Sequence, residues 1–83
     1  MHFRILVPGG LIYEGDRLGR CRASSLALDV FRCMELDGYA LRLFLGDMQL
    51  LDLDGVNNPE IELDTYIDLN APVDELELLL LID

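Results

Sequence analysis

The feature that most restricts the fold of this chain is the alternation of side chains between Ile61 and Leu69. Ile61, Leu63, Thr65, Ile67 and Leu69 occupy every second position, and mainly acidic residues fill the positions between them. Successive side chains of a strand point to opposite faces, so this period predicts a strand with one buried face and one acidic face. On a helix the same residues would be spread around the circumference. We therefore expect the chain to fold around a sheet.

Another strand is predicted at the start of the chain. Phe3, Ile5 and Val7 would share one face of an extended segment, and the pattern stops at Pro8, which has no N–H to donate to a ladder. Residues 11–13 and 18–22 can form short extended pieces on either side of Glu14-Gly15-Asp16, a sequence that favours a turn. The first 22 residues are thus expected to be mostly extended.

A hairpin is predicted where residues 39–45 and 48–53 flank Gly46-Asp47, because a two-residue loop of this composition suits a type I′ or II′ turn. Such a turn pairs Leu45 with Met48 and Leu43 with Leu50. The face expected under a helix carries Tyr39, Leu41, Leu43, Leu45, Met48 and Leu50. The opposite face would present Phe44, Leu51 and Leu53 as an apolar patch. The chain's own tail, a second copy or a partner would have to cover that patch.

One helix is predicted between about Ser25 and Leu36. Ser24 or Ser25 can serve as its N-cap, Asp29 lies towards the positive end of the helix dipole, and Gly38 suits the residue after the C-cap. Its apolar side chains repeat at three- and four-residue spacing and would pack on the sheet. They are Leu26, Ala27, Val30, Phe31 and Met34.

The last segment, residues 72–83, fits two structures. Asn70 as a cap, Pro72 near the start, and Asp74 and Glu75 in the first turn favour a helix. The apolar run at residues 78–82 would also suit a buried strand. We favour the helix. A helix that is apolar nearly all round would need burial on more than one side, as in a dimer or a partner's groove.

These elements predict one α+β domain, residues 1–83, with a small antiparallel sheet of about four strands packed by one main helix. The order is β-β-α-β-β-like, followed by a C-terminal helix or strand. No segment approaches the roughly 18 consecutive apolar residues of a membrane span. The N-terminus does not resemble an export signal. We therefore expect a cytoplasmic protein that does not bind membranes.

Charge is distributed very unevenly along the chain. The formal net charge is -10; residues 1–46 hold all six arginines and five acids, whereas residues 47–83 hold eleven acids and no base. Such an anionic half repels nucleic acid and anionic membranes and attracts basic partners. The alternative is that the charge only keeps the protein soluble. Arg17, Arg20 and Arg22 form the only basic cluster, which we expect to pair with the chain's own carboxylates.

The sequence contains no pattern typical of a catalytic or metal-binding site. A nucleophile needs a nearby general base, and the single histidine, His2, lies at the terminus. Asp16 stands where a phosphate-binding loop would have its lysine. An EF-hand centred on Gly55 would have Leu50 as its first ligand. Cys21, Cys33 and His2 are too few for a closed zinc site. No enzymatic activity, cofactor or metal is expected, and the two cysteines are expected to be reduced thiols, with a disulfide as the alternative.

Residues 18–25 (LGRCRASS), the predicted helix after them and the hairpin from Leu43-Phe44-Leu45-Gly46 to Leu51 resemble the β-β-α-β-β layout of small phage anti-CRISPR proteins. The resemblance covers about residues 3–53, and residues 54–83 have no counterpart. It implies an inhibitor that binds a CRISPR surveillance complex in a bacterial host cell, at lysine- or arginine-rich surfaces that otherwise hold DNA. No binding residue can be transferred from it.

The leading functional hypothesis is a non-enzymatic inhibitor whose acidic surface binds a basic, nucleic-acid-binding site of a bacterial protein complex. Alternate side chains on a strand are about 6.6–6.8 Å apart, so a row of acids could imitate successive phosphates; an ordinary solvated face is the alternative. The candidate partner-binding residues are Asp52, Asp54, Glu60, Glu62, Asp64, Tyr66 and Asp68. A structural homodimer or small adaptor, joined through the leucine-rich tail and the patch of Phe44, Leu51 and Leu53, is the competing hypothesis.

Overall fold

The computed structural model describes residues 1–70 and 75–83, in which three strands are followed by one helix and then by five more strands. The strands are β1 (His2–Val7), β2 (Leu11–Asp16), β3 (Arg20–Arg22), β4 (Ala40–Leu45), β5 (Met48–Asp54), β6 (Glu60–Asp64), β7 (Tyr66–Asp68) and β8 (Glu75–Ile82). The helix α1 (Ala23–Cys33) lies between β3 and β4. Six strands form one sheet in the order β2-β1-β8-β4-β5-β6, and β3 pairs with β7 in a separate two-stranded ribbon.

The predicted fold class is wrong. The main sheet has six strands rather than four, and it is mixed, because β8 runs parallel to β1 and antiparallel to β4. A single helix of 11 residues covers one of its faces. Sequence patterns underestimated the sheet because β8 takes both of its partners, β1 and β4, from distant parts of the chain.

One hydrophobic cluster lies between the sheet and α1. Every second residue of β1 points into it, and Phe3, Ile5 and Val7 are all buried. From the helix, Leu26, Ala27 and Val30 are fully buried, as the helical spacing predicted, while Phe31 and Met34 are only partly buried. We call the face of the sheet that packs on α1 the inner face and the opposite one the open face.

The C-terminal segment is a strand, so the helix favoured from its sequence is wrong. Leu78 and Leu80 are 1% and 0% exposed on the inner face, whereas Leu79 and Leu81 lie on the open face at 41% and 38%. The leucine run forms a strand because it lies between β1 and β4, which provide hydrogen-bond partners for its backbone N–H and C=O groups along both edges. The helix-start signals at Pro72 and Asp74 fall outside the described residues.

The acidic strand predicted at residues 61–69 is divided in two. β6 belongs to the main sheet and β7 to the ribbon. The division occurs at Thr65, whose N–H donates to the Leu50 carbonyl at 2.8 Å and whose carbonyl accepts from Ala23 N–H at 2.9 Å. An unbroken run of alternation in the sequence therefore serves two sheets, and its acids do not form one row.

The predicted hairpin is present, with Leu45 paired to Met48, but its register shifts further along. A β-bulge between Leu43 and Phe44 pairs Leu43 with Leu51 instead of Leu50. A one-residue shift exchanges the two faces of a strand. Leu51 and Leu53, expected in an exposed patch, are therefore 0% exposed on the inner face. Two residues expected under the helix are instead exposed, Tyr39 at 84% and Met48 at 59%.

Helix α1 begins and ends slightly earlier than predicted. Its last turn closes with Leu36 N–H donating to the Phe31 carbonyl at 3.1 Å and Glu35 N–H donating to the Arg32 carbonyl at 3.3 Å, the paired bonds of a Schellman motif. Glu35 occupies the left-handed position with φ of 52°, where glycine is usual. Gly38, the expected C-terminal residue of this motif, lies beyond it and packs closely against Ile82.

Candidate protein-binding surface

Several acidic residues gather where β4, β5, β6 and the end of β8 meet, and we call them the acidic corner. Arg42 lies among them, with Nε 3.7 Å from Asp52 Oδ1 and an Nη atom 3.6 Å from an Asp83 carboxylate oxygen. Since Arg42 is the one basic residue counted with the five acids, the corner keeps a formal charge of -4. The acids of the corner are Asp52, Asp54, Glu60, Glu62 and Asp83.

Asp54 and Glu60 are direct cross-strand partners. Both are exposed, and no described basic residue lies within ion-pair distance of either. Like charges placed directly opposite each other destabilise a strand pair, so this arrangement weakens the sheet edge. Glu62, two residues further along β6, is also exposed. β6 is also an edge strand of the main sheet.

Asp64, a predicted binding residue, makes hydrogen bonds within the fold. It pairs with Leu51, which places its side chain on the inner face, and the side chain is only 9% exposed. Its two carboxylate oxygens accept hydrogen bonds from the backbone N–H of Ser24 at 3.0 Å and from the Ser24 hydroxyl at 2.7 Å. Glu60 lies on the open face, so the carboxylates of β6 are divided between the two faces.

Tyr66 and Asp68, two further predicted binding residues, lie on the β3–β7 ribbon among arginines. The guanidinium carbons of Arg20 and Arg22 are each 5.2 Å from the centre of the Tyr66 ring, and Arg22 Nε donates to the Tyr66 hydroxyl at 3.2 Å. Arg20 is the cross-strand partner of Asp68. The expected pairing of the basic cluster with the chain's own carboxylates is seen for Arg17 with Asp29 and for Arg22 with Asp64. Tyr66 and Asp68 lie beside this cluster and are separate from the acidic corner.

Another group of acids surrounds Arg4 at the far side of the open face. Arg4 Nε lies 3.1 Å from Glu14 and 3.7 Å from Glu75, and one of its Nη atoms lies 3.9 Å from Glu77. The register brings them together, because Arg4 pairs with Glu14 on β2 and with Glu77 on β8. His2 makes a similar contact with Asp16 at 3.3 Å. We call this group the Arg4 cluster.

Of the predicted apolar patch, only Phe44 lies on the open face, where it is half-buried and pairs with Leu79. Sequence reasoning missed Leu79 and Leu81 as surface residues and missed the placement of Asp83 beside Arg42. The alternating exposure of a central strand would have revealed the leucines if residues 75–82 had been assigned to a strand. No local signal in the sequence places Asp83 near Arg42.

The two thiols are both unpaired, with Cys21 partly buried and Cys33 exposed. Cys21 lies just before α1 and Cys33 is its last residue, so about 16 Å of helix separates them. A disulfide requires Cα atoms within about 7 Å, so the two cannot bond within one chain. Burial raises the pKa of Cys21, and burial followed by the nearby Cys33 raises the pKa of the Tyr13 hydroxyl.

Within residues 1–70 and 75–83, no three His, Cys, Asp or Glu side chains converge in a way that could hold a metal ion. The one helix of this part of the chain is too short to cross a membrane. No protein family, curated protein or solved structure compared with this chain matches it. Interpretation of the surface therefore rests on its geometry and charge.

Proposed function

We propose that this chain is a non-enzymatic binding protein whose acidic surface recognises a basic surface of another protein. The specific partner surface that we propose is the nucleic-acid-binding site of a bacterial protein complex. The observation that carries the proposal is the acidic corner, where Asp54 and Glu60 oppose each other without a described basic neighbour. A cationic partner that neutralises these two carboxylates would relieve their repulsion and so stabilise the sheet edge.

Charge placement supports the same conclusion at longer range. The strongly anionic half of the chain contributes β5, β6 and β8, and the arginines of the other half are largely engaged with nearby acids. Clustered charge of one sign accelerates association with a surface of the opposite sign and disfavours nucleic acid itself. Competition with DNA or RNA for a basic groove is then the simplest way for such a protein to inhibit. Inhibition of a CRISPR surveillance complex is the form that the sequence resemblance implies.

The test measures target-DNA binding by purified CRISPR surveillance complexes, and by an unrelated basic DNA-binding protein, at increasing concentrations of this chain. We expect DNA binding by at least one of them to fall, and the effect to weaken as salt is raised, because exposed charges are screened. The variant Asp54→Asn/Glu60→Gln should weaken the inhibition by about tenfold, which corresponds to two surface ion pairs of about 0.7 kcal/mol each.

The matched control is Glu35→Gln/Asp47→Asn, which removes the same two charges from exposed positions outside the corner. It should leave inhibition nearly unchanged. Equal weakening by the two variants would show that net charge alone matters and would contradict a role for the corner. Failure to affect DNA binding by any of these proteins would contradict the proposal that the partner is a nucleic-acid-binding site.

A further inference from the structure

Apolar side chains form a continuous row across four strands of the open face. The register aligns Ile12 of β2 with Leu6 of β1, Leu6 with Leu79 of β8, and Leu79 with Phe44 of β4. Directly paired residues have Cβ atoms about 4.5–5.5 Å apart, so the row has no gap. Ile12 is 46% exposed and Leu79 41%. Isolated apolar residues are ordinary on a surface, but a contiguous patch marks a contact surface.

The row extends towards the acidic corner. Leu81 pairs with Arg42 and Asp52 pairs with Leu63, so these two leucines lie one step further along the same face, 38% and 40% exposed. The continuous apolar surface therefore runs from the edge strand β2 to β4, and Arg42 and Asp52 separate Leu81 from Leu63 on the edge strand β6. No described element packs on it, because α1 and the β3–β7 ribbon are not on this face.

Acids border the row on two sides. The Arg4 cluster contributes Glu14, Asp16, Glu75 and Glu77, and the corner contributes Asp52, Asp54, Glu60 and Asp83. Against these eight carboxylates stand only Arg4 and Arg42, which gives the open face a formal charge of -6, more than half of the chain's -10. An apolar centre with a charged border is the usual anatomy of a protein interface.

Area and charge argue against a second copy of the chain as the occupant. Six strands, each about 4.8 Å wide and about 20 Å long, give a face of roughly 580 Å². This suffices for a specific transient complex, which buries about 500 Å² or more per partner, but not for an obligate homodimer. Two copies would also bring two faces of the same negative charge together, which costs free energy.

We propose that the open face docks a protein surface whose apolar centre covers the row Ile12, Leu6, Leu79 and Phe44 and whose lysine or arginine border meets the two acidic groups. This inference rests on the proposed function for the sign of the partner's charge and adds the location and the apolar chemistry of the contact. Burial of the row supplies affinity, and the charged border supplies orientation and association rate.

The probes are two synthetic helical peptides of about 14 residues, roughly 21 Å long, with the same number of lysines. One carries leucines along a single face, and the other has glutamine at those positions. Titration against the whole chain at fixed salt should show the leucine peptide binding at least about tenfold more tightly, since about 1.4 kcal/mol requires burial of only about 55 Å² of apolar surface. Amide shifts in NMR spectra should map to β1, β2, β4 and β8.

The diagnostic variant is Ile12→Thr/Leu79→Thr, which places β-branched threonine, a good strand former, at both positions and removes much of the exposed apolar area. Its matched control is Leu18→Thr/Tyr39→Thr, because Leu18 and Tyr39 are apolar, 85% and 84% exposed, and outside the row. The preference for the leucine peptide should disappear in the first variant and persist in the second. If thermal unfolding shows the first variant to be unfolded, Ile12→Thr alone, on an edge strand, replaces it.

Equal affinity for the two peptides, or a preference that survives Ile12→Thr/Leu79→Thr, would overturn the docking surface. If, in that case, the corner variant Asp54→Asn/Glu60→Gln still weakened inhibition, the proposed function would stand without the apolar docking surface. Binding of neither peptide would overturn this inference, and the inhibition assay would then judge the proposed function alone. A dimer in sedimentation at micromolar concentration, abolished by Ile12→Thr/Leu79→Thr, would assign the face to a second copy and would also overturn the inference.

Discussion

The Asp64 carboxylate caps helix α1 from a strand 40 residues away, by accepting hydrogen bonds from both the backbone N–H and the hydroxyl of Ser24. The residue at the N-cap position is Arg22, whose side chain makes no capping hydrogen bond. A carboxylate at this end also interacts favourably with the helix dipole. Asp64 therefore connects the edge of the main sheet to the helix that covers it.

Replacing Asp64 should separate its structural role from any binding role. Asp64→Ala leaves the Ser24 N–H and hydroxyl without their acceptor in a largely buried site, so we expect the free energy of unfolding to fall by about 1–3 kcal/mol. Asp64→Asn keeps one oxygen acceptor and should cost less. Urea unfolding followed by circular dichroism measures both. An Asp64→Ala protein within about 0.5 kcal/mol of the parent would show that the cap contributes little.

The left-handed residue at the end of α1 offers a stabilising change. Glu35 has φ of 52°, a conformation that costs an L-residue about 1–2 kcal/mol but costs glycine almost nothing. After the extra chain entropy of glycine is subtracted, Glu35→Gly should raise the free energy of unfolding by about 0.5–1 kcal/mol. Glu35→Ala, which keeps the strained conformation and removes the charge, is the control. Equal stability of the two variants would mean that the φ angle is not under strain.

Two adjacent leucines test the strand assignment of the C-terminal segment. Leu80 is fully buried, whereas Leu81 is 38% exposed on the open face. Leu80→Ala should lower the free energy of unfolding by about 2–5 kcal/mol, because it removes transfer free energy and leaves a cavity. Leu81→Ala should cost about 1 kcal/mol or less. Similar losses at both positions would contradict the alternation of inner and open faces along β8.

Tyr13 should make stability depend on pH in the alkaline range. Burial raises the pKa of its hydroxyl above the ordinary value of 10.0, so the folded state holds this proton more tightly than the unfolded state does. The resulting stabilisation is fully present below about pH 10 and is lost as the pH rises through the folded pKa. In Tyr13→Phe the free energy of unfolding should fall less steeply above pH 10. Parallel curves for the two proteins would contradict this contribution.

Elements governed by local signals were predictable from the sequence. The helix follows from the spacing of Leu26, Ala27 and Val30, and the hairpin follows from Gly46-Asp47 between two alternating runs. Boundaries were off by a few residues because the capping carboxylate comes from Asp64, 40 residues away in the sequence, and because Glu35 occupies the C-terminal left-handed position where glycine is usual.

The misplaced elements depend on contacts that periodicity cannot show. The alternating pattern of side chains runs without interruption from Ile61 to Leu69. A backbone hydrogen bond from Thr65 to Leu50 nevertheless helps to divide this segment between two sheets. The bulge beside Leu43 places Leu51 and Leu53 on the inner face, so two residues of the expected patch are buried in the core. Leu79, from a distant strand, lies beside Phe44 on the open face instead.

The placement of the candidate binding residues depends on the same contacts. Asp52, Asp54, Glu60 and Glu62 lie together in the acidic corner because β5 and β6 pair directly. Asp64 was assigned to binding because charge in a sequence does not show whether a carboxylate faces solvent or a helix terminus. The Arg4 cluster was missed entirely, since it forms only when β2 and β8 are placed on either side of β1.

The position of β8 between β1 and β4 has a kinetic consequence. Without residues 75–82, the main sheet is two unconnected antiparallel pieces, β1–β2 and β4–β5–β6, each with an unsatisfied edge. The strand that joins them is the last to be synthesised of those described, so the nascent chain cannot complete its core until that strand has left the ribosome. Because loop-closure entropy must be overcome before such distant pairs form, folding should be slow for a chain of this length. While β8 is not yet paired, the exposed edges of β1 and β4 would favour aggregation.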